Sequence, residues 1–241
     1  MRALLTDALR TLVPPRTDRH GPLPPLMLLL TVATGVVDAV SYLGLGHVFV
    51  ANMTGNVVFL GFALAGAAGL SATASLVSLA SFLTGALAGG RLGNRMAAHR
   101  GRLLAMATGV QTFLTAVAAA TAAAADGGAH YALIVLLGLG MGLQNSVARR
   151  LGVPDLTTTV LTLTLTGLAA DSAPAGAAAP RQGRRILSAL AMLLGGVAGA
   201  ALVLHGRLTL ALGLAALLLL VTSVTAHRVS APDAHWAPPA A

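Results

Sequence analysis

Eight apolar runs follow one another along the chain, at about 26–45, 48–67, 72–90, 103–124, 130–148, 155–170, 186–204 and 208–226. Most approach the ~20 residues that a membrane-spanning helix needs. Two are irregular. The second contains the polar stretch Ala51-Asn52-Met53-Thr54-Gly55-Asn56, and the sixth is short and rich in threonine, Thr157-Thr158-Thr159-Val160-Leu161-Thr162-Leu163-Thr164. The pattern predicts an all-α integral membrane protein. Charged residues make up 9% of the 241 positions, against roughly 25% in soluble domains, too few to cover a globular surface.

The arginines choose between topologies. They cluster before the first run (Arg2, Arg10, Arg16, Arg19), after the third (Arg91, Arg95, Arg100, Arg102), after the fifth (Arg149, Arg150) and before the seventh (Arg181, Arg184, Arg185). The link Asp126–His130 has none. Basic links stay on the cytoplasmic side. Eight full spans would put the Arg91–Arg102 link outside. If the second and sixth runs are re-entrant or broken instead, every cluster falls inside and only Arg207 lies outside. Six transmembrane helices, two polar broken segments and two cytoplasmic termini are therefore expected. Irregular backbone at membrane depth is tolerated only when buried in protein or lining a cavity.

One polytopic domain is expected over 24–228. Before it, 1–23 reads as a cytoplasmic amphipathic segment, a helix lying on the membrane face; after it, 229–241 reads as a disordered tail. The domain divides into half-repeats at about 24–125 and 130–228. A shift of 106 residues sets Asp38 on Gln144, Asn52 on Thr158, Asn56 on Thr162 and Gly61 on Gly167. Three spans per half would invert the second half, the plan of many transporters with a midplane site at discontinuous helices.

Asp38 is the most informative single residue. A carboxylate at a helix centre costs about 2.5–3.5 kcal/mol on insertion scales, and such groups usually face a cavity or bundle interior. Two readings are open: a structural hydrogen-bonding residue, or a group that binds a cation or carries a proton. The candidate pathway comprises Asp38, Asn52, Thr54, Asn56, Gln144, Thr158 and Thr162, with Gly55 permitting a bend. Gly85/Gly89, Gly138/Gly142 and Gly195/Gly199 have the small-xxx-small spacing that lets helices approach closely. Contacts within the chain and a homo-oligomer both stay open.

The net charge of +8 is read as topology signal and attraction to anionic headgroups. Nucleic acid is not an expected partner, since aromatic residues are only 3% and no stacking platform is available. The lipid bilayer and an unknown small solute or ion are the expected partners. There is no cysteine, and the seven histidines lack metal-ligand spacing. No metal, cofactor or catalytic residue is expected; the familiar enzyme motifs are missing. All fifteen basic residues are arginine and all seven acids aspartate, a GC-rich coding bias that points to a bacterial source.

The stretch Gly35-Val-Val-Asp38 through Ala51-Asn52-Met-Thr-Gly55-Asn56, with Gly142-Leu-Gln144-Asn145-Ser-Val-Ala-Arg149-Arg150 and the threonine run, resembles the YoaK-like family of bacterial membrane proteins, a domain of unknown function. The resemblance covers about 24–228. It implies a six-helix inner-membrane protein and carries no substrate or active residue. Where a second Thr-Gly-Asn-like element is expected, Leu161-Thr162-Leu163-Thr164 stands instead, so the second polar segment uses hydroxyls. The leading functional reading is a small secondary transporter or channel; the alternative is a non-transporting structural or sensor protein whose polar residues serve helix packing.

Overall fold

The structure is a computed structural model that describes residues 2–125, 128–159, 161–171, 181–231 and 236–237. Its elements are α1 (Arg2–Leu12), α2 (Leu23–Gly44), α3 (Met53–Leu64), α4 (Ala72–Arg95), α5 (Arg100–Ala124), α6 (His130–Leu151), α7 (Leu161–Ala170), α8 (Gln182–Leu204) and α9 (Leu208–Val229). Six of them, of 22–25 residues, are long and apolar enough to cross a membrane. The remaining apolar helices, α3 with 12 residues and α7 with 10, reach only about 18 and 15 Å at 1.5 Å per residue. They are the two broken polar segments. The protein is all-α among the described residues.

Local chemistry sets the ends. Pro24 and Pro25 open α2, where a missing N–H costs nothing. Asn52 caps α3 by accepting from the Gly55 N–H, and Ser71 caps α4 by accepting from Ala74. Gly152, at φ 60°, closes α6 in the left-handed conformation.

Glycine seams hold the bundle together. Helices α2 and α8 pack on each other, as do α4 and α6. A methyl on Gly85 would fall on the Leu139 carbonyl, and one on Gly142 on the Phe82 carbonyl. In the other seam a methyl on Gly195 would strike the Val32 carbonyl, and one on Gly35 the Met192 carbonyl. Gly89 faces Leu143 and Ser146; Gly199 faces Val36 and Ala39. Gly138 lies against Ser81. All six glycines singled out from the sequence thus make contacts within the chain. The third pairing, α5 with α9, is tied by the Ser223 hydroxyl donating to the Ala105 carbonyl at 2.8 Å.

The arginine-rich ends of the helices meet at one end of the bundle. Arg100 is buried at the start of α5 and donates to the Leu151 carbonyl at the end of α6 and to His20 Nδ1 before α2, at 3.0 Å. Arg150 donates to Asn94 at 2.8 Å. On α1, Asp7 accepts from the Arg184 N–H of α8 at 3.2 Å, while Leu5, Leu9 and Leu12 stay exposed along the outer face expected of a surface helix.

The tail departs from expectation. Trp236 and Ala237 are buried, with the indole filling the space left by Gly21 and Gly101 and the Ala237 carbonyl accepting from the Arg100 N–H at 2.8 Å. A disordered tail is therefore corrected at these two positions, because a large apolar ring found a glycine-floored socket. At the start of the expected tail, Val229 still belongs to α9 and the buried Ser230 donates to the Ala226 carbonyl at 2.5 Å; 232–235 and 238–241 lie outside the described residues.

Two stability predictions follow from this packing. Gly195→Leu should destabilise by about 1–3 kcal/mol or more through overpacking against backbone. Gly213→Ala, where nothing lies within 4 Å of the added methyl, should stabilise α9 by about 0.5–1 kcal/mol; thermal unfolding in detergent reads both. A third prediction concerns His20. Burial, then the charge of Arg100, pushes its pKa from 6.5 down to about 4. Between those values the unfolded chain binds a proton that the folded one refuses, so stability rises with pH. The contribution is whole above pH 6.5 and is lost as pH falls through 4. The melting temperature of His20→Gln should fall less steeply over that window than the wild type's.

Candidate functional site

Asp38 sits on the inner face of α2 at 7% exposure, on the wall of a cavity of about 570 Å³. Its Oδ1 accepts from the Ala51 N–H at 3.1 Å. Among the described residues no basic side chain pairs with it. Asn52, Thr54 and Gly55 from the first broken segment, Thr159 and Thr162 from the second, Asn145 from α6, and Phe59, Phe82 and Met192 line the same space. The two broken segments thus bring hydroxyls and amides to one carboxylate, between apolar walls.

The loop between α2 and α3 is held by side chains. Gly46 and His47 both take positive φ, 86° and 58°, which ends α2 and turns the chain inward. Asn56, wholly buried, accepts from the Phe49 N–H at 2.9 Å and donates to the Phe49 carbonyl at 2.6 Å. It also donates to Ser78 Oγ on α4 at 3.1 Å. One amide therefore supplies both partners that a strand neighbour would give to Phe49. Gly55 does not bend the chain. It lies inside α3, and its missing side chain admits the Phe49 ring, which a methyl would meet at 2.9 Å. The bend falls on Gly46.

The expected pathway residues separate into two groups. Asp38, Asn52, Thr54 and Thr162 border the cavity. Asn56, Gln144 and Thr158 are buried behind it and are corrected from lining to supporting positions. Gln144 donates from Nε2 to Thr34 Oγ1 at 2.9 Å and to Thr158 Oγ1 at 3.0 Å, tying the second broken segment to α2 and α6. Its neighbour Asn145, not among the expected pathway residues, faces the cavity and accepts from Thr159 Oγ1 at 2.5 Å. Thr158 stands at φ 65°, uncommon for a β-branched residue; the Gln144 bond holds it there.

Two further polar groups escaped the sequence reading. Arg185, read as a topology marker, pairs with Asp155 at 3.0 Å before α7 and with Asp171 at 2.8 Å after it, and donates to the Gly167 carbonyl. It staples both ends of the second broken segment to α8. Gln111 lies buried in mid-span on α5, donating to Met141 Sδ at 3.2 Å. Two acids flanking a threonine run, and an amide in an alanine-rich span, were the available signals. Among the described residues no group of His, Cys, Asp or Glu could hold a metal ion.

A second cavity, of about 580 Å³, lies beyond the first toward the arginine-rich end, bordered by Arg149, Gly152, Val153 and Thr157. Phe82 and Asn145 border both.

The chain matches over residues 26–225 the family described as Protein of unknown function (DUF1275). It belongs to that family. It is also 35% identical over 150 residues to the UPF0700 transmembrane protein YoaK of Bacillus subtilis (strain 168), covering 61% of this chain and 65% of that relative. No solved structure matches. The resemblance read from the Asp38 and Asn52–Asn56 motifs is thereby confirmed, and the protein is a transmembrane member of a family without an assigned activity.

If Asn56 is a scaffold and Thr54 a lining residue, their alanine variants should differ. Asn56→Ala leaves the partly buried Phe49 N–H without its acceptor and should cost about 1–3 kcal/mol. Thr54→Ala, at an exposed position, should stay within about 0.5 kcal/mol. Thermal unfolding of the purified variants measures the contrast.

Proposed function

We propose that this protein is a small-solute or ion secondary transporter or channel of a bacterial inner membrane, with Asp38 as its ion- or proton-binding group. The observation that carries the reading is the placement of Asp38: an unpaired carboxylate beside a cavity that both broken segments line. Isolating a carboxylate in a span is costly, and a bound cation or proton at that position offsets the cost. Asn52, Thr54, Asn145, Thr159 and Thr162 offer oxygen and amide partners to a polar solute. The layer formed by Phe82 and Asn145 separates the two cavities and is the barrier in this reading. Its opening on one side and closure on the other would move a solute across.

The halves are proposed to be an inverted repeat. Support comes from the seams: Val32 and Leu139, Val36 and Leu143, and Ala39 and Ser146, which meet corresponding glycines, each stand 107 positions apart, and the glycines themselves 110 apart. Every long helix of one half packs chiefly on helices of the other. The 107 register sets Asp38 opposite Asn145 and Asn52 opposite Thr159. Those are the residues that border the cavity, whereas the shift of 106 pairs Asp38 with the buried Gln144. Positive-inside reasoning places the arginine-rich end, and both termini, in the cytoplasm.

A second reading has its own observation. The bond from the Ala51 N–H to Asp38 is what a purely structural aspartate would make. Asp38→Asn separates the two, tested in liposomes carrying a pH-sensitive dye under an imposed potential, with protons and sodium as probes. The transport reading expects ion entry in the wild type that drops at least about tenfold in the variant, with the melting temperature held within a few degrees. A wild type that passes neither ion, whose stability responds to ions and pH no differently from that of Asp38→Asn, and a variant that melts markedly lower would establish the structural reading instead.

A further inference from the structure

We propose that the groove between α5 and α9 is a binding site for an anionic phospholipid, with Arg102 and Arg228 holding the headgroup and one acyl chain lying along the groove floor. This site is separate from the Asp38 cavity and does not depend on how that cavity works. The groove encloses about 720 Å³. It exists because Ala105 and Gly109 leave its floor low, where the Ser223 hydroxyl draws α9 onto the Ala105 carbonyl.

Its two ends differ chemically. At the arginine-rich end of the bundle stand Arg102, His227 and Arg228, all exposed, with no acidic side chain on the lining. Neither guanidinium has a side-chain ion partner among the described residues. Away from that end the walls are apolar: Met106, Val110 and Phe113 are 51%, 42% and 67% exposed. From Arg102 to Phe113 the helix rises about 16 Å at 1.5 Å per residue, close to half of the ~30 Å hydrocarbon core. The groove therefore spans about one leaflet, with cations at headgroup level and a hydrocarbon-lined trough at acyl level. Free phosphate would leave the trough unused, and a zwitterionic lipid would leave the two arginines opposed by a choline. Basic pockets between spanning helices select anionic headgroups in this way.

The test is native mass spectrometry of the full chain released from micelles holding equal amounts of phosphatidylglycerol and phosphatidylcholine. Each arginine near the headgroups is worth about fivefold in lipid preference, so retained phosphatidylglycerol should exceed phosphatidylcholine by roughly tenfold or more. Arg102→Gln with Arg228→Gln should bring the ratio toward one. Arg91→Gln with Arg95→Gln removes the same charge from exposed positions elsewhere on that end and should leave it unchanged. Met106→Trp, which fills the trough and spares both cations, should lower retention of lipid while leaving the protein folded. Equal retention of the two lipids, or equal loss in the two arginine pairs, would overturn the site. So would retention of glycerol 3-phosphate without tails, or a dimer of the chain that Met106→Trp abolishes.

Discussion

A backbone that leaves the helix at membrane depth must satisfy its own amides, because hydrocarbon offers no partner and each orphan costs several kcal/mol. The loop from Leu45 to Asn52 meets this constraint with two side chains. Asn56 closes both polar groups of Phe49, and Asp38 takes the N–H of Ala51. Ser78 adds a donor to the same Phe49 carbonyl from α4, at 2.6 Å. The second broken segment is solved differently. Gln144 and Asn145 each hold one threonine hydroxyl, and Arg185 grips the segment from below with two carboxylates and a carbonyl. The polar residues that make the cavity possible are thus mostly not the ones that face it.

These bonds need helices held close together, and the glycine seams supply that. With no hydrophobic force between helices in lipid, close backbone approach provides van der Waals contact instead. Where Gly85 and Gly195 bring carbonyls of α6 and α2 within side-chain distance, the polar groups of one helix reach the next. Gln144 on α6 then ties one seam to the other by donating to Thr34 on α2, a helix that α6 touches at few other points.

Much of this was legible in the sequence, for a physical reason. Water-loving residues in an apolar run have few alternatives to an interior, so Asp38 and Asn52 declared themselves, and the six spans followed from arginine placement. What failed was finer. On a helix each residue turns the side chain by about 100°, so neighbours such as Gln144 and Asn145 face different surroundings. A match that is right to within one residue names the wrong amide. Asn56 looked like a lining residue because composition does not distinguish an amide that bonds a solute from one that bonds a loop. Trp236 and Arg185 were missed because their partners, Gly101 and Asp171, lie far away or inside segments read for topology alone.

The proposed repeat also bears on why the first half brings a carboxylate, Asp38, to the cavity and the second an amide, Asn145. In the 107 register Asp38 answers to Asn145, and Asn52 to Thr159. The two halves offer the cavity the same geometry with one ionisable group between them rather than two. Two carboxylates in one enclosed space would repel, and one would have to stay protonated. A single carboxylate opposite an amide avoids that conflict and leaves room for one positive charge. In the proposed transport reading, the hydroxyls of Thr159 and Thr162 are the neutral partners of a bound cation. Under that proposal, the difference between Asp38 and Asn145 is a division of labour between the halves, one supplying the charge and the other a neutral amide.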